Sequence, residues 1–551
     1  MGRPRGKQKK PLGESSRLPE SENDYLEQAD EFESSGSKWK AGDPAKALRF
    51  YQKALTVYIQ GLSRFPRSFD LAYNKARLLY HISQEKRISP LVGSVLELLK
   101  EALDAHRFAL SIDQENADVL FNTAQVLTSY AEELNENADQ DPDFKAQAVS
   151  LLQEAVELFA ACSARQEMEY TQMQEAQDAV DEAPSPNKTD QVPPTSQKAD
   201  SEEGQQWAVV LESTTPDTLI ETALAQLRTL SSLATIAAPT SSSLLANLSE
   251  IATPIVTQKL PSYISLLPTS IPEDASGDKS TPFLVVSNSS STFHPNAPAH
   301  PTNPQAEAKT EADLAIAVFK SALSGAEYRS KLASTETHTS RIKEAFSPLI
   351  ETTNTETTPI PSTVQILSAY TDALTDLADA IAHLDPSSTQ PYSATTRWSP
   401  LSQALDLLAK VTDLLSSPAG ASSSTDLDLP SRAQVYLQRG DIELLRSSLA
   451  RLPSATASIS NSLPTLLKNA GVYYRGARGL AGQDGDGEVR DEAAVKAGVV
   501  KIAEEIWGGG VLIGDFREFF KGIEGDTVRE IVREMVEEGL VDGEVSRVIL
   551  S

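Results

Sequence analysis

Three stretches of the chain repeat one spacing. They read Ala47-Leu48, Tyr51, Ala54-Leu55; Ala102-Leu103, His106, Ala109-Leu110; and Ala148-Val149, Leu152, Ala155-Val156. Seven residues make nearly two helical turns, so the two small residues of each set share one face, with a larger side chain between them. Such a face admits a neighbouring helix closely. A second pattern precedes two of these stretches: Tyr73-Asn74-Lys75-Ala76-Arg77-Leu78-Leu79 returns 48 residues later as Phe121-Asn122-Thr123-Ala124-Gln125-Val126-Leu127. The chain therefore alternates two kinds of helix, A and B, which is the mark of an internal helix-hairpin repeat.

This pattern resembles the tetratricopeptide-repeat (TPR) family. In that family the B helix carries Ala, an aromatic or Leu, then Ala, as at Ala47, Tyr51 and Ala54, and a turn like Gly42-Asp43 joins the two helices. Ile112-Asp113-Gln114-Glu115-Asn116 is similar to the family's inter-repeat turn, and Ala76 and Ala124 fall where it places a small residue in helix A. The resemblance covers roughly residues 24–165, with weaker echoes at Tyr436-Leu437-Gln438-Arg439-Gly440-Asp441 and Leu466–Tyr474. The layout also looks like that of fungal TPR proteins of unassigned activity, opening on Gly2-Arg3-Pro4-Arg5-Gly6-Lys7. There are departures. The family period is about 34 residues, whereas the B helices here are 55 and 46 apart, and the first gap holds an insertion, His81–Gly93, with Lys86, Arg87 and Pro90. Glu31 stands where the family places a large apolar residue.

The expected fold is all-α: a TPR-like solenoid of stacked hairpins with long disordered linkers. Residues 1–21 are basic and aperiodic and read as a disordered tail. Residues 22–168 form the repeat domain. Residues 169–215 are acidic and proline-bearing, a linker whose first residues can continue the preceding helix. Residues 216–267 return to helical spacing, with Pro239, Pro254 and Pro261 as punctuation. Residues 268–307 are a Ser/Thr/Pro-rich linker, and residues 308–551 a C-terminal helical region with loops at Gly482–Gly487 and Gly508–Gly510. In that region Leu367, Tyr370, Leu374, Leu377 and Ile381 keep helical spacing. Val528, Ile531, Val532 and Met535 make an apolar stripe suited to a capping helix.

Catalytic motifs are not found. The six histidines form no HExxH or zinc-finger arrangement, so no metal is expected. His106 occupies the large slot of a B helix and reads as a packing residue. Cys162, the one cysteine, lies in the apolar run Leu158–Cys162 and reads as a small core residue. Gly508-Gly509-Gly510 to Gly514 lacks the Lys-Ser/Thr of a phosphate loop, and the glycines from Gly479 to Gly487 follow a helix where a dinucleotide site needs a strand. No GxSxG occurs.

The chain carries 49 basic and 77 acidic side chains, a net charge of -28. That balance repels nucleic acid and anionic membranes and favours basic proteins as partners. No window holds about 18 uninterrupted apolar residues, and no signal-peptide core follows the basic start. The expectation is a non-enzymatic scaffold or adaptor, cytoplasmic, nuclear or both, needing no cofactor, metal, small-molecule substrate or membrane. A sharper version is an acidic chaperone for a basic client such as a ribosomal or histone-type protein. Two alternatives stand beside it: a nucleic-acid-associated factor using Arg3, Arg5, Lys7, Lys9 and Lys10, and an enzyme with an unrecognised helical catalytic domain in residues 308–550. The resemblance implies that A helices line the concave face, which makes Asn74, Arg77, Asn122 and Gln125 the candidate protein-binding residues. Asparagines at such places can instead bond neighbouring backbone.

Overall fold

The computed structural model describes residues 19–138, 141, 143–181, 214–269, 303–353, 358–384, 393–417, 429–508 and 516–550. Among these, every regular element is helical and none is a strand. The basic cluster at the start, residues 182–213 of the acidic linker, most of the Ser/Thr/Pro-rich linker and Gly509 to Gly514 lie outside the described residues. The chain divides into two compact units, residues 1–236 and 237–551.

The first unit holds α1 (Glu22–Trp39), α2 (Pro44–Arg64), α3 (Phe69–Gln84), α4 (Val95–Ile112), α5 (Ala117–Glu136), α6 (Asp143–Asp181) and α7 (Pro216–Ala237). α1 packs on α2, α3 on α4 and α5 on α6, with α2 against α3 and α4 against α5 between the pairs. Local chemistry sets the boundaries. Ser21 and Asp24 form a reciprocal capping box at α1. Asp43 caps α2 by accepting from the Lys46 backbone N–H at 2.9 Å, with Pro44 in the first turn. Ser68, Ser94 and Asn116 cap α3, α4 and α5 in the same way. The small positions that define the repeat are all at the helix contacts: Ala47, Ala54, Ala76, Ala102, Ala109, Ala124, Ala148 and Ala155 are fully buried, and Tyr51 nearly so. Burying each large neighbour, such as Leu79, Leu103 or Leu127, is worth about 1.5–3 kcal/mol.

α6 runs on through residues 169–181, the start of the acidic stretch. Residues 171–178 are largely exposed there, so propensity carries the extension: Gln, Glu, Met and Ala are strong helix formers, and the first proline comes only at Pro184.

The second unit holds α8 (Ser242–Pro254), a π turn at Ile255–Lys259, α9 (Leu260–Ser265), α10 (Pro304–Arg329), α11 (Thr335–Thr353), α12 (Ile360–Leu384), α13 (Ser393–Ser416), α14 (Arg432–Ala450), α15 (Ala457–Ser460), α16 (Leu463–Asp484), α17 (Gly487–Trp507), α18 (Gly525–Glu537) and α19 (Gly543–Leu550). Chain neighbours pack as pairs here too, most extensively α14 with α16, α12 with α13, and α16 with α17. One core gathers Leu367, Tyr370, Leu374, Leu377 and Ile381 with Phe346, Leu401 and Leu408. A second joins Leu444, Tyr474, Val499 and Ile502 to the α18 stripe of Val528, Ile531, Val532 and Met535. The turn after α16 begins later than glycine content suggests. Gly482 is still helical, and Gly485, at φ 76°, closes the helix in the left-handed region. Asp486 then caps α17.

Candidate functional site

The A-type helices of the first unit are α1, α3, α5 and α7, and polar side chains tie them in series. Arg77 on α3 donates to Glu33 on α1 at 2.8 Å. Tyr58 on α2 donates to the other oxygen of the same carboxylate at 2.6 Å. Burial first, and the Glu33 charge second, push the Tyr58 phenol well above its usual value, so it stays a donor. One step along, Asn122 on α5 donates from Nδ2 to Tyr73 Oη on α3 at 2.6 Å. The Tyr80 and Ser129 hydroxyls share a 3.0 Å hydrogen bond between the same two helices. Thr128 on α5 and Thr229 on α7 lie 3.0 Å apart, and Ser232 on α7 donates to Glu132 on α5 at 2.7 Å.

The four candidate residues all sit on these helices, half-buried. Asn74 and Asn122 make equivalent bonds within their own helices, Nδ2 donating to the Asp70 and Asp118 carbonyls at 2.9 Å each. Asn122 and Arg77 also serve as ties between helices. Tyr73, which opens the repeated A-helix pattern, belongs to the same ladder, as do Glu33, Tyr80 and Ser129, which that pattern does not include. The available signal was a near-constant offset: Tyr73 to Asn122 and Tyr80 to Ser129 are both 49 residues apart.

His106 is fully buried in α4, its Nδ1 at 2.8 Å from the Ala102 carbonyl and therefore protonated there. Burial pushes its pKa down to about 4, so the ring is neutral. Cys162 is buried on α6, donating to the Ala117 carbonyl, with burial pushing the thiol up to about 12.

The second unit contains two convergent polar groups. Lys496 on α17 is 5% exposed, its Nζ 3.0 Å from Asp441 on α14 and 2.9 Å from Glu492. Tyr474 on α16 donates to the same Asp441 oxygen at 2.7 Å. Burial pushes Lys496 down, but Asp441 and Glu492 outweigh it and hold the ammonium protonated. A charged, saturated ammonium is no nucleophile, and the group acts as a tie among three helices. Ser324 Oγ lies 2.9 Å from His338 Nδ1, yet both residues are sealed from solvent, and the nearby Asp376 is ion-paired to Arg329. An open groove of 460 Å³ runs between α9 and α10, lined by Leu260, Ile264 and Ile316 among others. Among the described residues no group of three or more His, Cys, Asp or Glu is placed to hold a metal ion, and no helix is long and apolar enough to cross a membrane.

No family model matches the chain. A stretch of 110 residues, 20% of this chain, is 38% identical to UPF0656 protein C926.02 of Schizosaccharomyces pombe, and the match spans about a quarter (24%) of that relative's length. Among solved structures, a circular tandem repeat protein aligns over 94% of this chain and 99% of its own at 12% identity and a TM-score of 0.28. The S. pombe nuclear import adaptor Nro1 aligns over 92% of this chain and 100% of its own, at 12% identity and a TM-score of 0.31. A second Nro1 structure gives 0.30 over 92% of this chain and 94% of its own, also at 12% identity.

Proposed function

We propose that the chain is a non-catalytic scaffold or adaptor of the TPR type, working in the cytoplasm, the nucleus or both, and that it binds another protein through the A-helix face of its first unit. The observation that carries the reading is the ladder Glu33–Arg77, Tyr73–Asn122 and Tyr80–Ser129. It orders side chains across successive hairpins before any partner arrives, so little ordering entropy remains for binding to cost on this side. Asn74 and Gln125 occupy the same helices without an inter-helix tie among the hydrogen bonds above, and they are the side chains best placed to contact a ligand. Arg77 and Asn122 hold the face in register.

A narrower reading is favoured by the net charge of -28: the partner is a basic client that the chain shields. The test is affinity capture from cell lysate, comparing the wild type with Asn74→Ala/Gln125→Ala by quantitative mass spectrometry, followed by titration of the purified partner. A discrete partner lost in the variant supports the reading, and a lysine-rich partner with steeply salt-dependent affinity supports the narrower one. A partner set unchanged by the variant overturns the assignment to this face.

A further inference from the structure

An open groove of 270 Å³ lies in the first unit where α2, α3 and α4 meet. α4 supplies most of its lining, Glu101, Asp104, Ala105 and Phe108, which share one helical face at i, i+3, i+4 and i+7. Leu62 of α2 and Ala72 and Lys75 of α3 complete it. Leu62 and Ala72 also pack in the small apolar cluster with Ala109 and Val119, so this wall is fixed by the core behind it. Phe108 is 44% exposed. One exposed apolar side chain is ordinary by itself, and its setting decides whether it means anything. The repeat supplies that setting. At the places of Glu101, Asp104 and Phe108, α2 carries Lys46, Arg49 and Lys53, and α6 carries Gln147, Ser150 and Glu154. Hairpin packing tolerates all three sets and therefore does not specify the one on α4. Glu101 and Asp104 are exposed. Neither they nor Lys75 is held in an ion pair among the described residues.

We propose that this groove is a binding surface for a lysine- or arginine-rich polypeptide segment, one bulky apolar side chain of which enters the slot beside Phe108. A cavity of about 150 Å³ accepts a benzene ring, so 270 Å³ has room for one such anchor. The anchor supplies affinity, and Glu101 and Asp104 orient the cations that flank it. Two carboxylates outnumber the one ammonium of Lys75, and the net charge of -28 acts in the same direction at longer range. Those charges oppose nucleic acid, an anionic membrane and an acidic peptide alike. The groove is made mainly by a B helix, so it does not rest on the A-helix face, and each surface is tested by its own variants.

The test uses the full chain and fluorescence anisotropy with a labelled peptide of Leu and Lys, its leucines at i, i+3, i+4 and i+7. Two counterpart peptides carry Glu in place of Lys, and Ser in place of Leu. Phe108→Lys and Glu101→Lys/Asp104→Arg copy the residues of α2 at the same places, which the repeat already accommodates, and circular dichroism checks the fold. Each is expected to weaken binding of the Leu/Lys peptide about tenfold or more. Glu530→Lys/Glu537→Arg makes the same change of charge at exposed positions of α18. At physiological salt, where the Debye length is about 8 Å, that control and Asn74→Ala/Gln125→Ala should leave binding unchanged. No binding of the Leu/Lys peptide, equal binding of either counterpart, or binding indifferent to both groove variants overturns the proposal. A loss in the α18 control as large as in the groove variants overturns it too. Self-association of the wild type that Phe108→Lys abolishes overturns it in favour of a second copy of the chain.

Discussion

Gly440 and Tyr474 meet so closely that a Cβ on the glycine would lie 2.4 Å from the ring. Gly36 and Tyr51 meet in the first unit at the same 2.4 Å. The likeness extends outward. Tyr474 lies between Ala470 and Ala477, as Tyr51 lies between Ala47 and Ala54, and all four alanines are fully buried. In both places the phenol reaches the residue after the glycine, Tyr474 donating to Asp441 and Tyr51 lying 3.4 Å from the Ser37 hydroxyl. The α14–α16 pair thus repeats the α1–α2 contact despite the longer connection that contains α15.

The sign of a glycine-to-alanine change tests this. In an exposed helix interior Gly→Ala stabilises by about 0.5–1 kcal/mol. Gly479 has nothing within 4 Å of an added Cβ, and Gly479→Ala should follow that rule. Gly36→Ala and Gly440→Ala should destabilise by about 1–3 kcal/mol, because the aromatic ring must move. Urea unfolding of the three variants decides it.

Lys496→Met should cost about 3–5 kcal/mol, because it leaves Asp441 and Glu492 facing each other without their cation. Adding Asp441→Asn should recover part of the loss, and a double-mutant cycle in denaturant measures the coupling.

His106 gives a pH dependence with a defined sign. Its folded pKa is held near 4 against an ordinary 6.5, so between those values the unfolded chain binds more protons. The His106 contribution to stability is therefore full above about 6.5 and falls as pH drops towards 4, by roughly 3 kcal/mol. The proton would arrive at Nε2, a buried atom without a hydrogen-bond partner. His106→Leu, which copies Leu152 at the matching place of α6, should flatten that part of the profile in chemical denaturation followed across pH.

Cys162 should resist Ellman's reagent in the folded protein at pH 8 and react fully in denaturant. Its thiol is buried and its pKa is raised to about 12. Rapid labelling under native conditions would contradict the packing of α6 against α5.

Structure and binding roles on the A-helix face separate by substitution. Arg77→Ala should lower stability by roughly 1 kcal/mol, a partly exposed ion pair being worth no more. Gln125→Ala should leave stability within about 0.5 kcal/mol of the wild type yet weaken capture of the partner. Thermal unfolding and the capture assay, run on both variants, tell the two roles apart.

The helices and their inner faces were legible in the sequence because the physics is local. The seven-residue spacing of Ala47 and Ala54, or of Ala102 and Ala109, fixes a small face whatever lies opposite, and Asp43 with Pro44 starts a helix through its own backbone. The intrahelical bonds of Asn74 and Asn122 are local too, each reaching a carbonyl four residues back. The ties between helices are not. Glu33 finds Arg77 44 residues away, Tyr73 finds Asn122 49 away, and Asp441 finds Lys496 55 away. The spacing within one helix does not encode those pairings, because they depend on how far one helix slides along the next as its core packs. Spacing along the chain determined its helices and composition its negative charge, while tertiary packing decided which polar groups became ties within the fold and which remained at its surface.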